Sequence, residues 1–169
     1  MKINIVLVEP EIPQNTGNIA RTCAAIGAKL HLVKPLGFEI TDKYLKRAGL
    51  DYWDKLDIQI HEDLNSFLND TQHIKYNMFF LTTKAHKIYT DVDYTKFKDE
   101  IYLVFGKETK GLPEELLKKG IENAIRIPMR DNIRSLNLSN SMNIVAYEVM
   151  RQFGFENLRE KSEYFESNS

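Results

Sequence analysis

Three short blocks of the chain carry more polar residues and glycines than folding alone requires. The first joins an apolar run ending at Ile127-Pro128-Met129, through a loop holding Arg130, Asp131, Asn132 and Arg134, to Ser135-Leu136-Asn137-Leu138-Ser139-Asn140. Ser and Asn at such a junction cap the free N–H groups of a starting helix, but a cap needs one of them and this block has several. The second, Asn15-Thr16-Gly17-Asn18-Ile19-Ala20-Arg21, follows the strand-like run 3–8. The third, Leu103-Val104-Phe105-Gly106-Lys107-Glu108-Thr109-Lys110-Gly111-Leu112-Pro113, breaks a buried strand with two glycines.

Two nucleotide-binding chemistries are excluded at once. Gly106 and Gly111 have the spacing of a phosphate loop, but Leu112-Pro113 stands where Lys-Ser/Thr would hold phosphate and magnesium. No G-x-G-x-x-G follows the first strand, so a Rossmann site is not supported. On the plain alternative, Gly106 is a strand-end turn and Pro113 a first-turn helix residue. Glycine also lets a ligand ring lie against the backbone, so a turn and a ligand site are compatible. His31, His61, His73 and His86 are scattered and no Cys or His pair has metal-ligand spacing, so no metal site is expected. Cys23 lies on an apolar stripe with no His beside it and reads as core filler.

The elements that must carry these blocks alternate along the chain. Short apolar runs at 3–8, 30–33, 58–60, 78–82, 101–105 and 124–127 read as strands of a parallel sheet covered on both faces. Helices are expected over 17–26, 42–49, 63–68, 113–119 and 140–153, giving a three-layer α/β domain over 1–155 and a polar tail over 156–169. In the last helix Leu138, Met142, Val145, Val149 and Phe153 form one stripe, while Asn140, Asn143, Tyr147 and Arg151 lie round the other side. In the first, Ile19, Cys23 and Ile26 make the buried stripe and Arg21 points elsewhere. Both helices thus keep a second face for a partner subunit or a ligand.

At 169 residues, 43% hydrophobic and 28% charged, the chain can bury a real core. No apolar run is long enough to span a membrane and no signal peptide is apparent, so a cytoplasmic protein without membrane contact is expected. The net charge of −1 argues against a strong nonspecific nucleic-acid binder. Residues 156–169 hold four glutamates against Arg159 and Lys161, so 1–155 carries 21 basic and 20 acidic residues, and any RNA site must be a local patch. Lys84, His86 and Lys87, Lys107 and Lys110, and Arg130 and Arg134 are each ordinary surface charges alone. Together with Arg21, Lys43, Lys46 and Arg47 they could bind a phosphate backbone. Tyr52, Trp53 or Phe38 could stack on loop bases, although core packing is the simpler use for each.

The three blocks resemble the three sequence motifs of the SPOUT (alpha/beta-knot) RNA methyltransferases. Glu9-Pro10-Glu11-Ile12-Pro13-Gln14-Asn15-Thr16-Gly17-Asn18 and Arg47-Ala48-Gly49-Leu50-Asp51-Tyr52 sharpen the likeness to the small, single-domain tRNA wobble-position 2'-O-methyltransferases. The resemblance runs from about residue 3 to about residue 154. It implies a deep C-terminal trefoil knot, a homodimer with an active site shared between protomers, and S-adenosylmethionine as methyl donor, without metal. The cofactor pocket is implied at Leu81, Gly106, Ile127, Ser135 and Asn137, although Ser135 and Asn137 equally read as helix caps.

The resemblance also places Arg21 at the acceptor ribose, with Tyr147 sharing proton transfer or positioning that ribose, and Asn15 orienting Arg21. A guanidinium with a pKa above about 12 is a poor base, so Arg21 is better read as a phosphate anchor and a stabiliser of developing alkoxide. Lys84, Lys107 and Arg134 are the implied contacts to a tRNA anticodon stem-loop, by resemblance that of leucine isoacceptors. Two alternatives remain: a 2'-O-methyltransferase of another tRNA site or of rRNA, and a non-catalytic, cofactor-sensing RNA-binding protein.

Overall fold

The computed structural model describes residues 1–40, 55–71 and 76–164. Seven strands form one sheet: β1 (Lys2–Val8), β2 (Lys29–Val33), β3 (Ile58–His61), β4 (Met78–Leu81), β5 (Lys87–Ile88), β6 (Glu100–Phe105) and β7 (Ala124–Arg126). Their order is β3-β2-β1-β6-β4-β7-β5, and every pairing is parallel. The described helices are α1 (Pro13–Ile26), α2 (Leu64–Asp70), α3 (Glu114–Lys119) and α4 (Leu138–Gln152), with short 3-10 turns at Tyr89–Asp91, Tyr94–Lys96 and Ile121–Asn123. None of them is long and apolar enough to cross a membrane.

Period-two alternation divides the core into two layers. Ile3, Ile5 and Leu7 of β1 and Leu103 and Phe105 of β6 share one cluster with Ile19 and Cys23 of α1 and Met142, Val145 and Val149 of α4. Val6 and Val8, with Tyr102 and Val104, face the other way and pack against Phe67 of α2 and Leu116 and Leu117 of α3. Strands covered on both faces are apolar throughout, which is why these runs show no polar alternation.

Several boundaries differ from the sequence reading. α1 begins at Pro13, not Gly17: Pro13 is a first-turn proline, a position its missing N–H and fixed φ favour. Asn15 and Thr16, which precede the expected start, are therefore buried helical residues together with Gly17. α4 begins at Leu138 and its buried face also takes in Ala146 and Met150. The two-residue β5 escapes notice because it is too short to show a period. The helix expected over 42–49, with Lys43, Lys46 and Arg47, and the aromatics Tyr52 and Trp53, lie outside the described residues.

One polar chain links β1, β2 and β3. Asn4 Nδ2 donates to Glu100 Oε2 and to the Ile101 carbonyl, both at 3.4 Å, which turns Oδ1 toward His31 Nε2 at 3.1 Å. His31 Nε2 must then carry the proton, so Nδ1 accepts from His61 Nε2 at 3.0 Å. His61 Nδ1 lies 3.5 Å from the Asp70 carboxylate. Both rings are buried. Burial pushes the His31 pKa down to about 3, helped by His61, Lys29 and Lys2; burial also lowers that of His61 against the pull of Asp70.

A histidine held neutral in the fold favours the native state above its unfolded pKa of about 6.5 and loses that contribution as pH falls below it. Stability should be flat above about pH 7 and fall by up to about 1.4 kcal/mol per unit below about pH 6.5 from His31 alone. Urea unfolding across that range checks this against His31→Gln, which keeps hydrogen-bonding groups but cannot titrate. Equal slopes in the two proteins would remove His31 as the cause.

Candidate active site

In a parallel sheet the loops leaving the carboxyl ends of the strands gather on one edge, and here those of β1, β6, β4 and β7 lie side by side. They enclose a cleft of about 550 Å³. Leu81 closes β4, Gly106 follows β6 and Ile127 follows β7, and all three line the cleft. Ser135 and Asn137, from the segment leading to α4, and Asn15, from the first turn of α1, complete that wall. Lys84, Lys107 and Arg134 stand on the same lining. Three blocks far apart in sequence therefore meet in one place.

Arg21 and Tyr147 do not line this cleft. Arg21 is exposed on α1, and Tyr147 is 45% exposed on α4. The two helices pack on each other. Phe38 is half-buried. Cys23 is fully buried, which pushes its thiol up to about 12.

Gly106 is a glycine for a reason within the chain itself. A Cβ there would overlap the backbone of Gly111 and Leu112, because the loop folds back: the Gly111 N–H donates to the Lys107 carbonyl at 2.8 Å, with Gly111 at φ +70. The close approach expected of a ligand is made first by the protein's own main chain.

The asparagines are spoken for as well. Asn137 caps α4: its Oδ1 accepts from the Ser139 N–H at 2.9 Å, the Ser139 hydroxyl at 2.8 Å and the Asn140 N–H at 3.3 Å. Its Nδ2 donates to Asn15 Oδ1 at 3.0 Å. Asn15 Nδ2 donates in turn to Glu108 Oε1 at 3.0 Å. Of the two uses open for Asn137, the side chain takes the cap.

Glu108, Glu11 and Thr109 form a contact that sequence reasoning missed, since no periodicity marks two loops that face each other. Glu108 accepts the backbone N–H groups of Glu11 (2.8 Å) and Ile12 (3.1 Å). Glu11 accepts the Thr109 N–H at 3.0 Å and its hydroxyl at 2.9 Å, which holds the Glu11 carboxyl below its usual range. Lys107 pairs with Glu9 at 2.6 Å, a half-buried contact that raises the lysine pKa. Glu9 sits at φ +52, in the left-handed region. Lys84 pairs with Glu114 at 2.8 Å. That pair is exposed and screened by solvent, so it yields readily to another anion, whereas Lys107 is already matched inside the loop.

The SpoU rRNA Methylase family model matches residues 2–147, and the chain belongs to that family. It is 48% identical over 153 residues to a protein of Saccharophagus degradans named tRNA (cytidine(34)-2'-O)-methyltransferase, covering 90% of this chain and 96% of the relative. Among solved structures, one described as giving structural insights into the 2-OH methylation of C/U34 on tRNA superposes with a TM-score of 0.84 at 40% identity, covering 92% of this chain and 98% of that one. An AdoMet-bound rRNA methyltransferase from Sinorhizobium meliloti superposes with a TM-score of 0.79 at 25% identity, over 89% of this chain and 56% of that one.

Gly106→Ala should destabilise the protein more than Gly27→Ala. At Gly27 an added Cβ meets nothing within 4 Å and only the left-handed backbone resists, a cost of about 1–2 kcal/mol. At Gly106 main chain must move, and about 3 kcal/mol is expected. Denaturant midpoints decide; equal losses would show that the 106–111 loop opens freely.

Proposed function

We propose that this chain transfers a methyl group from S-adenosylmethionine to the ribose 2'-hydroxyl of the wobble nucleotide, cytidine or modified uridine, of tRNA, with leucine isoacceptors as substrates. The observation that carries this reading is the match to the Saccharophagus degradans enzyme over nearly the whole of both chains. The cleft suits such a donor. Leu81, Ile127 and Leu138 offer apolar surface for a flat base, with the 106–111 and 135–137 loops around it. Bound there, the donor supplies a methyl on a positively charged sulfur, already activated for in-line transfer.

The residues must handle the acceptor and its proton. The 2'-hydroxyl becomes a nucleophile as it sheds that proton, and Arg21 stabilises the developing alkoxide while anchoring a neighbouring phosphate. Tyr147 positions the ribose or passes the proton on. Asn15 acts through α1, by its hydrogen bonds to Glu108 and Asn137. Ser135, Gly106 and the backbone of Asn137 hold the donor. Lys84 and Arg134 meet the anticodon stem-loop, and Lys107 serves the loop through Glu9 before it serves RNA.

That Arg21 and Tyr147 stand exposed outside the cleft supports an active site completed by a second copy, and the protein is read as a cytoplasmic homodimer. Residues 1–155 act as one methyltransferase domain, and the segment over 127–137, on its way from β7 to α4, forms the trefoil knot of the family. A methyltransferase for another RNA site is the second reading. It is favoured by the family's rRNA description and by the Sinorhizobium meliloti likeness, but this chain covers only 56% of that protein.

Labelled methyl transfer to tRNA lacking wobble methylation, with the modified nucleoside mapped, tests this. Label is expected on the 2'-oxygen at the wobble position. Arg21→Ala should reduce turnover by about a hundredfold or more and leave cofactor affinity within about threefold. Parallel loss of both would make Arg21 structural, and label elsewhere would move the substrate to another RNA.

A further inference from the structure

We propose that Glu108 is a positioning residue for methyl transfer: its carboxylate fixes α1, and with it Arg21, against the cleft that holds the donor. The inference rests on the reading of Arg21 and the cleft given above. α1 lacks a cap of its own, because Ile12 occupies the N-cap without a side-chain hydrogen bond and Pro13 has no N–H. Glu108 supplies the missing anion from another loop, accepting the Glu11 and Ile12 N–H groups and the Asn15 side chain. A carboxylate at this end also meets the positive pole of the helix.

The connection continues in both directions. Asn15 passes it to Asn137 and so to the start of α4. Glu11 returns it to Thr109, and Glu9 to Lys107, in the loop that walls the cleft. α1 is thereby hinged at its N-terminus to the cofactor wall, and Arg21 lies well along it. A small tilt at the hinge becomes a larger displacement at the guanidinium, and small misplacements of this kind cost rate rather than binding.

Replacing Glu108 by Ala leaves the Glu11 and Ile12 N–H groups without partners. Glu108→Gln keeps one carbonyl for Ile12 and Asn15 but turns an amide NH2 toward the Glu11 N–H, so it should fall between wild type and Ala. The experiment measures turnover at saturating cofactor and anticodon stem-loop RNA, S-adenosylhomocysteine affinity by calorimetry, and amide exchange along α1 and α4.

Glu108→Ala should lower turnover about tenfold to a hundredfold while S-adenosylhomocysteine affinity stays within about threefold. Exchange should speed up in the first turns of α1 and not at the far end of α4. Because Glu108 and Asn137 share Asn15, the Glu108→Ala/Asn137→Ala double variant should lose less than the product of the two single losses. Unchanged turnover, affinity falling in step with turnover, or fully multiplied losses would each overturn the proposal. If wild type methylates no tRNA, the substrate reading fails, and the exchange measurement still decides whether Glu108 holds α1.

Discussion

The carboxylate of Glu108 joins positions 93–97 residues away from it in sequence, and the geometry of the cleft depends on that join. The loops after β1 and β6 carry little apolar surface of their own to bury. What holds them is reciprocal: each loop offers carboxylates to the N–H groups, hydroxyl or ammonium of the other. Charge-assisted hydrogen bonds to backbone are among the stronger polar contacts, and half-buried ones are poorly replaced by water. Two helix starts, those of α1 and α4, are then set relative to one another through a single pair of asparagines.

The sheet supplies the frame on which this contact operates. Because β6 and β4 run parallel between β1 and β7, four loops emerge together at one edge. The apolar faces of the strands fix their register by burial on both sides, with α1 and α4 over one face and α2 and α3 over the other. A core of this kind tolerates loop chemistry above it, so polar residues can gather at the edge without weakening the interior. The His31–His61 chain is an exception on the β2–β3 side of the sheet, where hydrogen bonds between Asn4 and His31 and between the two rings hold the buried imidazoles.

Much of this is legible in the amino-acid pattern. Apolar runs gave all the long strands to within a residue or so, because strands buried on both faces leave little ambiguity. The period of α1 marks Ile19, Cys23 and Ile26, and all three are buried. The cleft residues Leu81, Gly106, Ile127, Ser135 and Asn137 came from motif resemblance, and the structure brings them to one cavity. The start of α1 lies four residues before Gly17, because Pro-Gln-Asn-Thr has the composition of a turn and shows no apolar period, while in the fold Asn15 and Thr16 are buried as part of the helix.

By itself the sequence determined the element types, the two-sided burial of the strands and the residues worth suspecting, since these depend on local pattern and on side-chain chemistry. It could not determine what those residues touch. That Gly106 yields to the backbone of Gly111 and Leu112, that Lys107 is matched by Glu9, and that Glu108 completes the start of α1 are facts about loops meeting across the sheet edge. Such contacts have no period and no fixed spacing. Only the tertiary structure, by setting the strand order, decides which loops become neighbours.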